Sequence, residues 1–155
     1  MTISIQTAMT QKLVTVSSEA SLASAETLMK EKRIRHLLVI DSETQEAVGI
    51  LSDRQLQLSQ LEPQMAVEWL MSTPIITVDP GTPLRQAIFK MLENKISALI
   101  VADSHDQVRG IVTTDDLLWF LAHSLNEDKE NLPLVTQDTK ITLGELINQL
   151  SLAGI

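Results

Sequence analysis

The chain repeats itself. Displacing the sequence by 62 positions lays Met9 on Met71, Thr15 on Thr77, Val16 on Val78, Leu22 on Leu84, Ala25 on Ala87 and Met29 on Met91. The match continues with Ile34 on Ile96, Leu37 on Leu99, Val39 on Val101 and Asp41 on Asp103. One residue then drops out of a polar stretch, and Gly49, Ile50 and Leu56 meet Gly110, Ile111 and Leu117 at a displacement of 61. A surface turn absorbs such a slip. Self-similarity at this period means two copies of one supersecondary unit, over residues 5–61 and 67–125, with a linker at "EPQMA". A copy of about 55 residues cannot bury a sheet alone. The two are therefore expected to pack sheet to sheet about a pseudo-twofold axis as one cooperative module.

Each copy reads as β-α-β-β-α, an α+β fold. A short strand rich in β-branched residues comes first, Leu13–Val16 and Ile75–Val78. In the second copy Leu84, Ala87, Ile88, Met91 and Leu92 then recur at helical spacing. Thr82 is expected to cap that helix with Pro83 at its first position. Leu22, Ala25, Leu28 and Met29 make the equivalent stripe in the first copy, where Ala20 in place of Thr82 predicts a weaker cap. Two strands follow, "HLLVI" and "AVGILS", then "ALIVA" and "VRGIVT". Their nearly continuous apolar character predicts burial on both faces. The closing helix of copy two is expected to bury Leu117, Leu118, Leu121, Ala122 and Leu125.

Composition narrows the function classes. Cysteine is absent, which removes disulfide frameworks, thiol catalysis and thiolate metal sites. Twenty acidic against twelve basic residues leave a formal charge of −8, a poor match for nucleic acid. No apolar stretch approaches the roughly 20 residues of a membrane helix, and "MTISIQTAMT" lacks a basic start before an apolar core. A soluble, cytoplasmic protein that engages no membrane is expected. His36, His105 and His123 are isolated, and adjacent Asp115 and Asp116 point in different directions on a helix. No Gly-rich phosphate loop or nucleophile elbow is present, so the chain reads as a non-enzyme without a metal site.

The stretches "LMSTPIITVDPGTPLRQAIFKMLENKISALIVADSHDQVRGIVTTDDLLWFL" and, less closely, "AMTQKLVTVSSEASLASAETLMKEKRIRHLLVIDSETQEAVGILSDRQLQL" resemble a tandem pair of CBS domains, a Bateman module. The resemblance covers about four-fifths of the chain and keeps the order of apolar, turn and Gly–aliphatic–Ser/Thr features. It implies a regulatory, non-catalytic module that binds an adenosine-containing ligand (AMP, ADP, ATP or S-adenosylmethionine) in the cleft between the copies. It also implies pairing of two modules into a flat, disc-like homodimer.

The ligand motif of that family is Gly-h-h-Ser/Thr-x-x-Asp-h, with h aliphatic. Copy two meets it in full with Gly110, Ile111, Val112, Thr113, Asp116 and Leu117. A hydroxyl and free backbone N–H groups at a helix start form a seat for phosphate, and an ionised Asp116 can accept from both hydroxyls of a ribose. The same spacing also makes a capping box with no ligand, and the two roles can coexist. In copy one Ser52 is kept but Gln55 replaces the acid, which preserves a cap and loses the charged acceptor. The first site is thus expected to be the weaker. The resemblance places the base against Ile75, Ile76, Ser97, Ala98 and Leu99, for which core packing is the competing role. Arg35, in the basic run with Lys30, Lys32 and Arg33, is either a solvated helix-end charge or a phosphate contact.

Residues 126–155 lie outside the repeat. "NEDKEN" is a charged break and "LPLVTQDTK" reads as extended. Thr142 and Glu145 then form a capping box before Leu143, Leu146, Ile147 and Leu150, an amphipathic helix that Gly154 ends. That helix either packs on its own module or its dimer, or docks an unidentified protein target. Trp69, Trp119 and Phe120 are further candidates for the dimer contact. Two functions stand: a sensor of an adenosine-containing nucleotide that signals by a conformational shift, or an adaptor with empty clefts that docks a partner through the tail.

Overall fold

The computed structural model describes residues 3–58 and 62–125. Copy one contains β1 (Thr15–Ser17), α1 (Leu22–Lys32), β2 (His36–Ile40), β3 (Ala47–Ser52) and α2 (Asp53–Leu58). Copy two repeats it with β4 (Thr77–Val78), α3 (Leu84–Asn94), β5 (Ala98–Ala102), β6 (Val108–Thr113) and α4 (Thr114–Ser124). Each copy makes a three-stranded sheet, ordered β1-β2-β3 and β4-β5-β6, with the first pair parallel and the second antiparallel. The tail of residues 126–155, with its expected linker and amphipathic helix, lies outside the described residues.

Register obeys the repeat. Val39 faces Gly49 and Val101 faces Gly110, and both antiparallel pairs carry an irregularity one residue later. Each intervening turn is held by an aspartate from equivalent positions. The Asp41 carboxylate accepts the N–H groups of Thr44 and Glu43, and that of Asp103 accepts those of His105 and Gln107. These bonds favour the ionised form and hold both carboxyls below the usual range, with Thr44 and His105 as the largest causes.

Three apolar clusters form the core. One belongs to copy one, around Leu37, Val39 and Leu51, and one to copy two, around Leu99, Val101 and Val112. The third, built on Leu38, Ala98, Ile100 and Ile111, joins the two sheets. It is the sheet-to-sheet contact the repeat demanded.

The copies also exchange their leading arms. Ile5, on a single 3-10 turn (Ile5–Thr7), is fully buried in the core of copy two. Val67, its equivalent on the turn Val67–Trp69, is fully buried in the core of copy one. Backbone bonds fix both arms. Thr10 and Ile111 exchange N–H···O bonds of 2.8 and 2.9 Å, and Ser72 and Ile50 exchange bonds of 2.8 and 3.1 Å. Each arm thus lies against the strand that carries the Gly–aliphatic–Ser/Thr motif. Glycine permits that approach. A Cβ at Gly110 would sit 2.7 Å from the Thr10 carbonyl oxygen, and one at Gly49 would meet the Met71 sulfur at 2.5 Å.

Four sequence expectations change. The leading strands are shorter than Leu13–Val16 and Ile75–Val78, because only Thr15–Ser17 and Thr77–Val78 find a parallel neighbour. The helix N-caps fall one residue later than read. Ser21 accepts from the Ser24 N–H at 3.1 Å in copy one, whereas Pro83 caps α3 without a side-chain bond. The first copy is therefore the better capped, while the arms serve both helices alike: Leu84 donates to the Ile3 carbonyl and Leu22 to the Met65 carbonyl, each at 2.9 Å. Leu92 is 66% exposed. Of the five expected residues only Leu117 packs on a core; Leu118, Leu121 and Ala122 on α4 are exposed, as is Leu125 just past its end.

Replacing Ile5 or Val67 by Ala leaves a cavity in the opposite copy and is expected to cost about 2–4 kcal/mol in urea unfolding, scaled from large-to-small core changes. Gly110→Ala is expected to destabilise more than Gly49→Ala, since a carbonyl on a paired arm yields less readily than a Met side chain. Equal midpoints for the two alanine variants would contradict the arm's close seating.

Candidate functional site

Several clefts take their parts from both copies; one of about 720 Å³, walled by Ala47 and Ile100, holds neither motif, and two hold one motif each. The larger of these two, about 620 Å³, joins Ser52 and Gln55 of copy one to Pro74, Ile75, Ile76, Ser97 and Ala98 of copy two. The smaller, about 280 Å³, joins Thr113 and Asp116 of copy two to Lys12, Leu13, Val14, Arg35 and His36 of copy one. The repeat relates the two linings residue by residue. Pro74, Ile75 and Ile76 stand 62 positions after Lys12, Leu13 and Val14.

This division separates residues that the sequence reading grouped. Thr113 and Asp116 do not share a cleft with Ile75, Ile76, Ser97 and Ala98, which line the Ser52 cleft instead. The swap follows from packing: each motif ends a strand that faces the other copy's first strand across the joint cluster. Leu99 lines neither and is fully buried in the copy-two core. The copy-one wall of the smaller cleft was missed, although the displacement of 62 applied backward from Ile75 and Ile76 points to Leu13 and Val14.

Both motifs form complete capping boxes. The Asp116 carboxylate accepts the Thr113 N–H and hydroxyl at 2.8 and 2.7 Å, and the Asp116 N–H reaches the Thr113 hydroxyl at 3.2 Å. Gln55 does the same for Ser52, at 2.9, 2.8 and 3.3 Å. The free atoms of both side chains turn to the arms. Asp116 Oδ1 accepts from the Thr10 hydroxyl at 3.1 Å, while Gln55 Nε2 donates to the Leu70 carbonyl at 2.6 Å and to Ser72 Oγ at 3.2 Å. A carboxylate offers about four acceptor positions. Three are used here.

Charge divides the clefts more sharply than shape. The larger is lined by His36, Arg54 and Lys95 and by no carboxylate. The smaller sets Lys12, Arg33 and Arg35 against Asp115 and Asp116. Arg35 Nε lies 3.5 Å from Asp115 and 3.9 Å from Asp53, so its charge already has partners. Lys30, by contrast, pairs with Glu26 along α1, away from both linings. Arg33 and Lys95, equivalent in the repeat, both hold φ of 54° at a helix end where glycine is the usual occupant. Each left-handed cation lines a cleft. Among the described residues no cluster of His, Asp and Glu could hold a metal ion, and no helix is long and apolar enough to cross a membrane.

Comparison with known proteins identifies the unit. The family model of the CBS domain matches residues 4–59 and again 66–123. The glycine betaine/carnitine/choline transport ATP-binding protein OpuCA of Bacillus subtilis is 31% identical over 127 residues, covering 82% of this chain and 33% of its own. Against eight of the curated relatives it matches, the chain spans between 20% and 33% of their length. Among solved structures, an uncharacterised conserved protein from Pyrococcus horikoshii superposes with a TM-score of 0.72 at 27% identity, covering 86% of this chain and 97% of that one. The CBS domain pair of protein MJ0100, in complex with 5′-methylthioadenosine and S-adenosyl-L-methionine, gives 0.72 at 22% identity, with coverage of 80% and 99%. The duplicated matches, the two equivalent sheets and the paired clefts agree: this chain belongs to the CBS-domain family and carries two CBS domains in tandem.

Proposed function

We propose that the chain is a non-catalytic regulatory module that binds an adenosine-containing ligand in the clefts between its two CBS domains. One observation carries the reading. Each motif-bearing cleft joins its Ser/Thr-x-x-Asp/Gln helix start to an apolar edge from the other copy, so a ligand there touches both domains at once. The neighbouring MJ0100 pair, solved with two adenosine compounds, supports that ligand class. Asp116 is the acceptor for the ribose hydroxyls, with Thr113 and Arg35 near the phosphates of that cleft, and Ser52 takes the place of Thr113 in the larger one. Ile75, Ile76, Ser97 and Ala98 wall the larger cleft, where Gln55 offers no charged acceptor.

The signal follows from competition for Asp116. A ribose diol brings two donors to a carboxylate with about one acceptor position left. Thr10 then gives way, and the arm it belongs to loses a tie to copy two. Ligand binding and arm seating are therefore linked, and the ligand shifts the arrangement to the extent that it prefers the released one.

A second observation supports self-association. Phe89, Leu92, Leu118, Trp119 and Leu121 are exposed on copy two, where the copy-one equivalents of Phe89, Leu92 and Leu118 are Thr27, Lys30 and Gln57. A homodimer through copy two covers this apolar surface.

Three outcomes follow. In a thermal-shift screen, one of AMP, ADP, ATP or S-adenosylmethionine at about 100 times its dissociation constant adds about 2.7 kcal/mol and raises the midpoint by several degrees. Guanosine counterparts and Asp116→Ala remove the shift; no response to any adenosine compound would overturn the reading. Thr10→Val is expected to tighten ligand binding about fivefold, the equivalent of one competing hydrogen bond. Weaker binding would contradict the competition. Leu118→Glu is expected to move the sedimentation coefficient from dimer to monomer, and an unchanged dimer would place the interface elsewhere.

A further inference from the structure

His36 breaks the symmetry of the pair. Among the described residues it alone lines both clefts, and the repeat puts Ala98 at its equivalent position. Its Nε2 lies 2.8 Å from Ser97 Oγ, a hydrogen bond that crosses from the first residue of β2 to the start of β5. The imidazole therefore sits at the joint, in contact with whichever cleft is filled.

Charged groups surround it from every side. Arg35 immediately precedes β2, Asp53 and Arg54 come from α2, Lys95 from the turn before β5, and Asp115 and Asp116 from α4. Burial is the largest influence and holds the imidazole below its ordinary pKa; Arg35 acts in the same direction, while the three carboxylates oppose it. The ring is thus neutral near pH 7. Since the unfolded chain takes the proton first as pH falls below about 6.5, the free protein loses stability through that range.

A phosphate carries about two negative charges. Brought beside a neutral imidazole in a cleft with Arg54 and Lys95, it favours the protonated ring. Resting on the proposed adenosine site, we propose that His36 takes up a proton when a phosphate-bearing ligand binds in these clefts, and so lets the module separate anionic from uncharged adenosine compounds. Binding of the anion then strengthens on acidification, by at most about tenfold per pH unit for one linked proton. An adenosine compound without a 5′ charge gains nothing from the same change.

The test is calorimetric titration of the full chain at pH 7.4, in buffers of different ionisation enthalpy, with AMP and with 5′-methylthioadenosine. Wild type is expected to take up protons with AMP and none with 5′-methylthioadenosine, and His36→Gln to lose the uptake with AMP. The ligand cannot mimic this, because AMP bound as the dianion sheds protons. Binding of both compounds with equal proton exchange, or uptake that persists in His36→Gln, overturns the role of His36 and leaves the adenosine site standing. Failure of both compounds to bind overturns the two together. As a check that needs no variant, the His36 ring resonances titrated by NMR are expected to show a higher midpoint in saturating AMP, and an unmoved midpoint overturns the proposal.

Discussion

The exchange of arms is the constraint on which the molecule depends. Neither CBS copy completes its own core: Ile5 fills copy two and Val67 fills copy one. Each arm arrives over a glycine, because any Cβ at Gly49 or Gly110 would collide with it. The copies consequently fold as one object, with a core shared at Leu38, Ala98, Ile100 and Ile111. The clefts are by-products of the same geometry. They open where each motif's helix start meets the other copy's leading strand.

That origin explains why the same residues both cap a helix and line a cleft. Thr113–Asp116 and Ser52–Gln55 are capping boxes that satisfy the first N–H groups of α4 and α2. Their remaining atoms hold Thr10, Leu70 and Ser72, so a cap, a tie to the arm and a cleft wall converge on one side chain. Substituting Gln55 for an acid keeps the cap and exchanges an acceptor for a donor pair. The duplication has therefore diverged in chemistry while retaining its fold.

Much of this was legible in the sequence because the repeat samples the fold twice. The displacement of 62 fixed the element order, the sheet composition and the buried stripe of α1. The periodicity along α4 and just past its end misled, since Leu118, Leu121 and Leu125 recur at core spacing yet are exposed. Amphipathic spacing reports an apolar face and not what covers it. The grouping of site residues failed for another reason. Ile75 and Thr113 belong to the same copy, and nothing local in the chain reveals that they line different clefts. Crossing of the copies is a tertiary fact, readable only once the arms are placed. His36 was set aside as an isolated histidine, and only its bond to Ser97 shows that it stands at the joint.

Chemical-shift mapping of the backbone amides during titration with AMP tests the central claim most directly. The account predicts that the largest changes cluster at the inter-copy clefts, at Thr113 and Asp116 and across the joint at His36 and Thr10. Changes confined to the hairpin turns at Asp41 and Asp103, or to the outer faces of α3 and α4, would contradict it.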